Sequence, residues 1–78
     1  MTDAAMAARV AQVIREAREA KGWSKPRAAN AIGCAVSVYR QWEDRRHIPR
    51  LQLWPHIVAG LDISPERERW AVHGEGAR

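Results

Sequence analysis

Ser37, Arg40 and Gln41 are the residues of this 78-residue chain whose types and spacing could do chemistry, and that chemistry is recognition rather than bond breaking. A guanidinium donates two parallel hydrogen bonds to guanine O6 and N7, and a carboxamide matches adenine N6 and N7 in the same groove. A serine hydroxyl reaches either a base edge or a phosphate. At 100° per residue, Val36, Ser37, Arg40, Gln41 and Asp44 fall on one side of a helix, and Ala35, Val38, Tyr39 and Trp42 on the other. The second set is apolar and is expected to pack inward. The first has no core to serve, and it is the face expected to read DNA. Val36 leaves two readings open, a contact to a thymine methyl or a contact to a protein partner.

Charge is concentrated around this helix. The chain has 13 Lys+Arg against 9 Asp+Glu, a formal net charge of +4. Residues 21–50 hold seven of those cations and only two acids, Glu43 and Asp44, so the excess positive charge lies in this stretch. Arg45 and Arg46 directly follow the helix. They are placed to neutralise backbone phosphates, a contact that supplies affinity without sequence information. Asp44 would repel phosphate and is expected to orient an arginine instead.

Other chemistries find little support. His47, His56 and His73 have no ligand spacing, and Cys34 alone does not complete a zinc set, so neither metal nor cofactor is expected. A thiol without a neighbouring base makes a poor nucleophile, so enzymatic activity is not expected either. One cysteine excludes an intramolecular disulfide and suits a reducing compartment. No apolar run approaches the ~18 residues of a membrane helix. The opening Met1-Thr2-Asp3-Ala4-Ala5-Met6 lacks the basic-then-apolar order of a signal peptide. The expected location is cytoplasmic.

The elements that must hold the reading face are all helical. A first helix is expected from about Ala4 to Lys21, capped by Thr2 or Asp3, with Met6, Val10, Val13, Ile14 and Ala17 inward and Gly22 as its left-handed stop. A second runs from about Lys25 to Ala31. Ser24 is its cap, Pro26 lies in its first turn, Ala28, Ala29 and Ile32 face inward, and Gly33 makes the turn that follows. The third spans about Ala35 to Asp44. A fourth starts near Leu53, buries Leu51, Trp54, Ile57, Val58 and Leu61, and stops at Gly60. A fifth, capped by Ser64, runs from Pro65 to about Val72 with Trp70 pinned inward. Trp23, Trp42, Trp54 and Trp70 are all expected in the core. The domain is expected over residues 1–73, with 74–78 as a tail.

From Ile14 to Ser64 the chain resembles the Cro/C1-type helix-turn-helix group, also called the XRE family. The matching positions are Arg18, Gly22-Trp23-Ser24-Lys25, Ala28-Ala29, Ile32-Gly33, Ala35 to Gln41, Trp42-Glu43, Arg45-Arg46, Pro49, Leu61 and Ile63, with no gap. The resemblance implies an all-α, compact, lambda-repressor-like bundle of four or five helices whose third helix enters the major groove. It implies base contacts from Val36, Ser37, Arg40 and Gln41. It implies phosphate contacts from Lys25, Arg45, Arg46 and Arg50, and a structural ion pair between Arg18 and Glu43. Ala35 stands where a capping Ser or Thr is usual, Tyr39 where isoleucine is common, and Arg45 where glycine is usual, which suggests a different loop shape.

The expected function is sequence-specific binding of double-stranded DNA by a small regulator, Cro-like or a minimal repressor, acting as a homodimer on a palindromic site. Two alternatives use the same fold. One is the antitoxin of a toxin–antitoxin pair, and the other a protein-interaction module that has lost DNA binding.

Overall fold

The computed structural model describes residues 4–74. Five α-helices follow one another: α1 (Ala4–Ala20), α2 (Lys25–Ile32), α3 (Val36–Glu43), α4 (Trp54–Leu61) and α5 (Pro65–His73). A single 3-10 turn, Leu51–Leu53, leads into α4, and no strand occurs among the described residues. The Thr2 or Asp3 cap expected for α1 lies outside them.

Helix α1 is the spine. Its alanine-rich sequence favours helix intrinsically, because alanine loses no side-chain entropy. It buries Val10, Val13 and Ile14 as expected, and Ala7 and Ala11 besides. Those two alanines let neighbouring helices come close. Gly22, at φ +68°, stops the helix, and the Trp23 N–H reaches back to the Arg18 carbonyl at 3.2 Å. This six-to-one bond satisfies a carbonyl that the helix end would otherwise leave open.

Helix α2 begins as its sequence suggests. Ser24 Oγ accepts from the Arg27 N–H at 3.3 Å, and Pro26 occupies the first turn, where its missing donor costs nothing. Ala28, Ala29 and Ile32 are buried. Gly33 takes φ +90° and turns the chain sharply into α3. Helix α5 repeats the starting pattern, with Ser64 Oγ accepting from the Arg67 N–H at 3.2 Å and Pro65 leading the helix.

Three details depart from expectation. Gly60 does not end α4. The helix runs on to Leu61, and Asp62 at φ +54° takes the left-handed position. Gly60 serves a different need: a Cβ there would lie 3.0 Å from the Ala31 carbonyl oxygen, so α4 crosses α2 almost backbone to backbone. Leu51 is not part of the buried stripe. It is 75% exposed, in a turn that packs mainly on its own α4. Trp23 and Trp70 are only half-buried, whereas Trp42 and Trp54 lie within the core. Guanidinium or ammonium groups cover the two partly open indoles: Lys21 and Arg27 lie 5.0 and 5.1 Å from the Trp23 ring centre, and Arg67 lies 4.6 Å from that of Trp70.

The core is one cluster. Val10 and Ile14 of α1, Tyr39 of α3, and Ile57 and Leu61 of α4 are its largest fully buried side chains. Helix α1 packs on α3 and α5, while α2 packs on α3 and α4. Helix α3 thus rests on both α1 and α2, and its far side is left open. Gly74 is the left-handed cap of α5, and its N–H bonds to the Trp70 carbonyl at 2.8 Å. Residues 75–78 of the expected tail lie outside the described residues.

Candidate nucleic-acid interface

The position of α3 is fixed by a polar knot at its C-terminal end. Arg18 Nε donates to Glu43 Oε2 at 2.7 Å, and a second guanidinium nitrogen donates to Oε1 at 3.2 Å. A third donates to the Trp23 carbonyl at 2.9 Å. The Tyr39 hydroxyl, one turn earlier on α3, donates to the same Glu43 carboxylate at 2.6 Å. The Arg18 guanidinium therefore ties α1, the α1–α2 connection and α3 together. The fork matches both oxygens at once, which fixes orientation as well as distance. The Arg18 and Glu43 side chains keep only 13% and 4% of their exposure. The expected pair is present, and Tyr39 is a third member that the sequence reading treated as apolar filling. Its spacing of four from Glu43 on one helix was the available signal.

The knot shifts all three ionisations. Burial alone would raise the Glu43 carboxyl, but the hydrogen bonds from Arg18 and Tyr39 outweigh it and hold the group below its ordinary value. The hydrogen bond to Glu43 raises Arg18 against the opposing effect of burial. Burial, and then the bond to Glu43, pushes the Tyr39 phenol well up. The knot therefore holds an ionised carboxylate between a cation and a neutral phenol.

The knot also sets the rotation of α3 about its axis, and here the expected faces need correction. Tyr39 and Trp42 are buried, with ring centres 5.9 Å apart in an edge-on arrangement. Glu43 is drawn in beside them. Val36, one turn before Tyr39 and Arg40, follows and lies half-buried against the core, away from the open face. Ala35 and Val38, expected inward, are exposed instead, Val38 at 39%. The open side of α3 thus carries Ser37, Val38, Arg40 and Asp44, with Gln41 half-buried between them. Val38 belongs to the open face although its apolar type and spacing predict burial. Apolar periodicity grouped it with Tyr39 and Trp42, and a buried carboxylate is invisible to that kind of count.

The ends of α3 are unequal. Ala35 sits at the N-cap with extended backbone and supplies no side-chain cap. At the other end the Arg46 N–H bonds to the Gln41 carbonyl at 2.9 Å, and the Arg45 N–H to that of Trp42 at 3.3 Å. Arg45 itself adopts φ +63°. This is the glycine-type helix stop, built with an arginine. Arg45 takes the left-handed conformation that a glycine adopts readily at such a stop. A left-handed arginine costs about 1–2 kcal/mol relative to glycine.

Beyond the stop, Arg45, Arg46 and Arg50 are exposed and Pro49 is buried. The side chains of Ser37, Arg40, Gln41, Arg45, Arg46 and Arg50 make no hydrogen bond or ion pair with any described residue. Lys25, expected with them, is half-buried at the start of α2. Its charge adds to the field that lowers Glu43. The candidate residues therefore form a ridge (Ser37, Arg40, Gln41) flanked by a cationic loop, with Lys25 close to the knot. Cys34, in the turn, is half-buried, and burial pushes its thiol up. No three His, Cys, Asp or Glu side chains are grouped to hold a metal among the described residues. No described helix is long and apolar enough to cross a membrane.

A short helix held against two others at a sharp turn, open on its far side, is the arrangement that presents side chains to the DNA major groove. Among known protein families, the one described as "Helix-turn-helix domain" matches residues 9–70. No curated protein matches the chain, and no solved structure does. The matched span runs from the middle of α1 into α5 and takes in every residue of the knot and the ridge. The chain belongs to the helix-turn-helix domain family, of the Cro-like XRE type, a DNA-binding class of fold.

Proposed function

We propose that this chain is a small transcriptional regulator that binds double-stranded operator DNA sequence-specifically, with α3 in the major groove. One observation carries the reading: Ser37, Arg40 and Gln41 of α3 and Arg45, Arg46 and Arg50 after it have no side-chain partner among the described residues, while the helix beneath them is locked by the Arg18–Glu43 fork. Arg40 suits guanine and Gln41 adenine. Ser37 adds a base or phosphate contact, and Val36, turned toward the core, supports the helix from beneath. Lys25, Arg45, Arg46 and Arg50 engage phosphates.

Two protomers on a palindromic site would place their third helices about 34 Å apart, one turn of duplex. If Lys25, Arg45 and Arg46 each engage a phosphate in both protomers, log affinity falls with log salt with a slope of roughly −5. Binding-site selection from random duplexes, followed by titration across salt, tests this. A selected palindrome and a steep slope are expected. Failure to enrich any sequence, or a flat salt response, overturns it. Replacing Arg40 or Gln41 by alanine should cost ~1–3 kcal/mol of discrimination at one base pair each.

A second reading draws on a different surface. A recess of about 490 Å³ between α4 and α5 is lined by Leu51, Trp54, Pro55, Pro65 and Val72 together with Glu68, Arg69 and His73. Apolar surface rimmed by charged side chains, beside an exposed leucine, favours a protein contact. This supports an antitoxin that regulates its own operator through α3 while holding a toxin elsewhere. A small toxin encoded next to it and co-purifying with it would select this reading. An isolated gene and a protein that purifies alone would remove it.

A further inference from the structure

Val38, which the sequence pattern places inward and the family resemblance does not name as a base contact, lies exposed on α3. It is one of two large hydrophobic side chains exposed among the described residues. It lies at the edge of the α3 ridge and lines a recess of about 210 Å³ that runs from that ridge to the basic loop. Val38, Trp42, Ile48, Pro49 and Leu53 give the recess its apolar wall, and Gln41, His47 and Arg50 line it too. An apolar surface set among unpaired donors and cations is badly matched to water and well matched to one feature of duplex DNA. In the major groove the thymine C5-methyl is the single apolar group, and it stands beside hydrogen-bonding base edges and between phosphate rows.

We infer that Val38 is a specificity-determining residue that packs on a thymine methyl, in or next to the base pair whose adenine Gln41 reads. This rests on the proposed DNA binding and deepens it. Gln41 and Val38 are three apart on one helix, so they address the same or adjacent base pairs. The cationic side chain of Arg50 would hold the phosphate row against the recess and keep the methyl seated. Val36, the apolar residue first suited to this task, is turned toward the core and leaves the position to Val38.

The test uses the full chain and the duplex it selects from random sequence. Each thymine of one half-site is replaced singly by deoxyuridine, which removes only the methyl. Burial of one methyl predicts roughly a fourfold loss of affinity at one position. Val38→Ala should abolish that thymine-over-uracil preference while Val36→Ala keeps it. Val38→Thr, which retains one methyl and the shape of the side chain, controls for folding, and thermal melts of each variant check that the fold survives. A selected half-site without thymine, indifference to deoxyuridine at every position, or a preference that survives Val38→Ala overturns the inference and leaves DNA binding standing. Failure to select any duplex overturns both.

Discussion

Arg18, on α1, and Arg45, just after α3, are the same residue type, and they are used in opposite ways. Arg18 spends its donors within the protein, on both oxygens of Glu43 and on the Trp23 carbonyl. Arg45 has no acceptor among the described residues and holds a backbone conformation that suits glycine better. The same contrast separates Arg67, bonded to Glu16 across α1 and α5, from Arg46 and Arg50. A guanidinium with protein partners positions an element, and one without them is available to something else. Counting cations in the sequence does not distinguish the two. The acceptors within reach of each guanidinium do.

The sharpest way to break this comparison is to unpair Glu43. Arg18→Ala leaves a buried carboxylate without its main partner and should lower stability by about 3–5 kcal/mol, measured by urea unfolding. Arg45→Ala and Arg46→Ala should leave stability within about 0.5 kcal/mol of the parent. If Arg18→Ala proves equally mild, the knot is not what positions α3.

Acid titration sharpens the same point. The Glu43 carboxyl is held below its ordinary value of 4.5, so folding stabilises its ionised form. Its contribution is complete above about pH 4.5 and is lost as pH falls through the lower folded value. Stability should therefore drop on the acid side, and Glu43→Gln should flatten that limb while lowering stability at neutral pH. Thermal melts between pH 3 and pH 7 provide the check. An unchanged acid limb in Glu43→Gln would assign the loss to other carboxylates.

Smaller effects are expected at the two ends of α3. Arg45→Gly removes the left-handed penalty and should raise stability by about 1 kcal/mol, while lowering the salt slope for DNA by about 1 per protomer. A variant that gained stability and kept its slope would show that Arg45 does not touch phosphate. Ala35→Ser supplies the missing cap and should add roughly 0.5–1 kcal/mol. Ser24→Ala, at the capped helix, should cost a similar amount.

Much of the molecule was legible in its residues. Ser24 and Ser64 announced two helix starts, and Gly22 and Gly33 two stops, because each uses local chemistry that neighbouring residues complete. Arg18 and Glu43 were legible only through the family resemblance, since they are 25 positions apart. The rotation of α3 was not legible. Hydrophobic periodicity places Val38 inward and Val36 outward, but the paired Glu43 and Tyr39 claim the buried side and turn the helix. Leu51 and Gly60 were misread for a related reason. One has no facing helix to cover it, and the other is demanded by a neighbour's backbone rather than by its own turn.

That crossing of α4 over α2 governs more than packing. The Ala31 carbonyl lies one residue before the end of α2, just ahead of the Gly33 turn that leads into α3. A methyl at position 60 would have to push the two backbones apart by a few tenths of an ångström. Because the Gly33 turn follows directly, a substitution at position 60 is expected to be felt at the start of α3 as well as in the packing of α4 on α2.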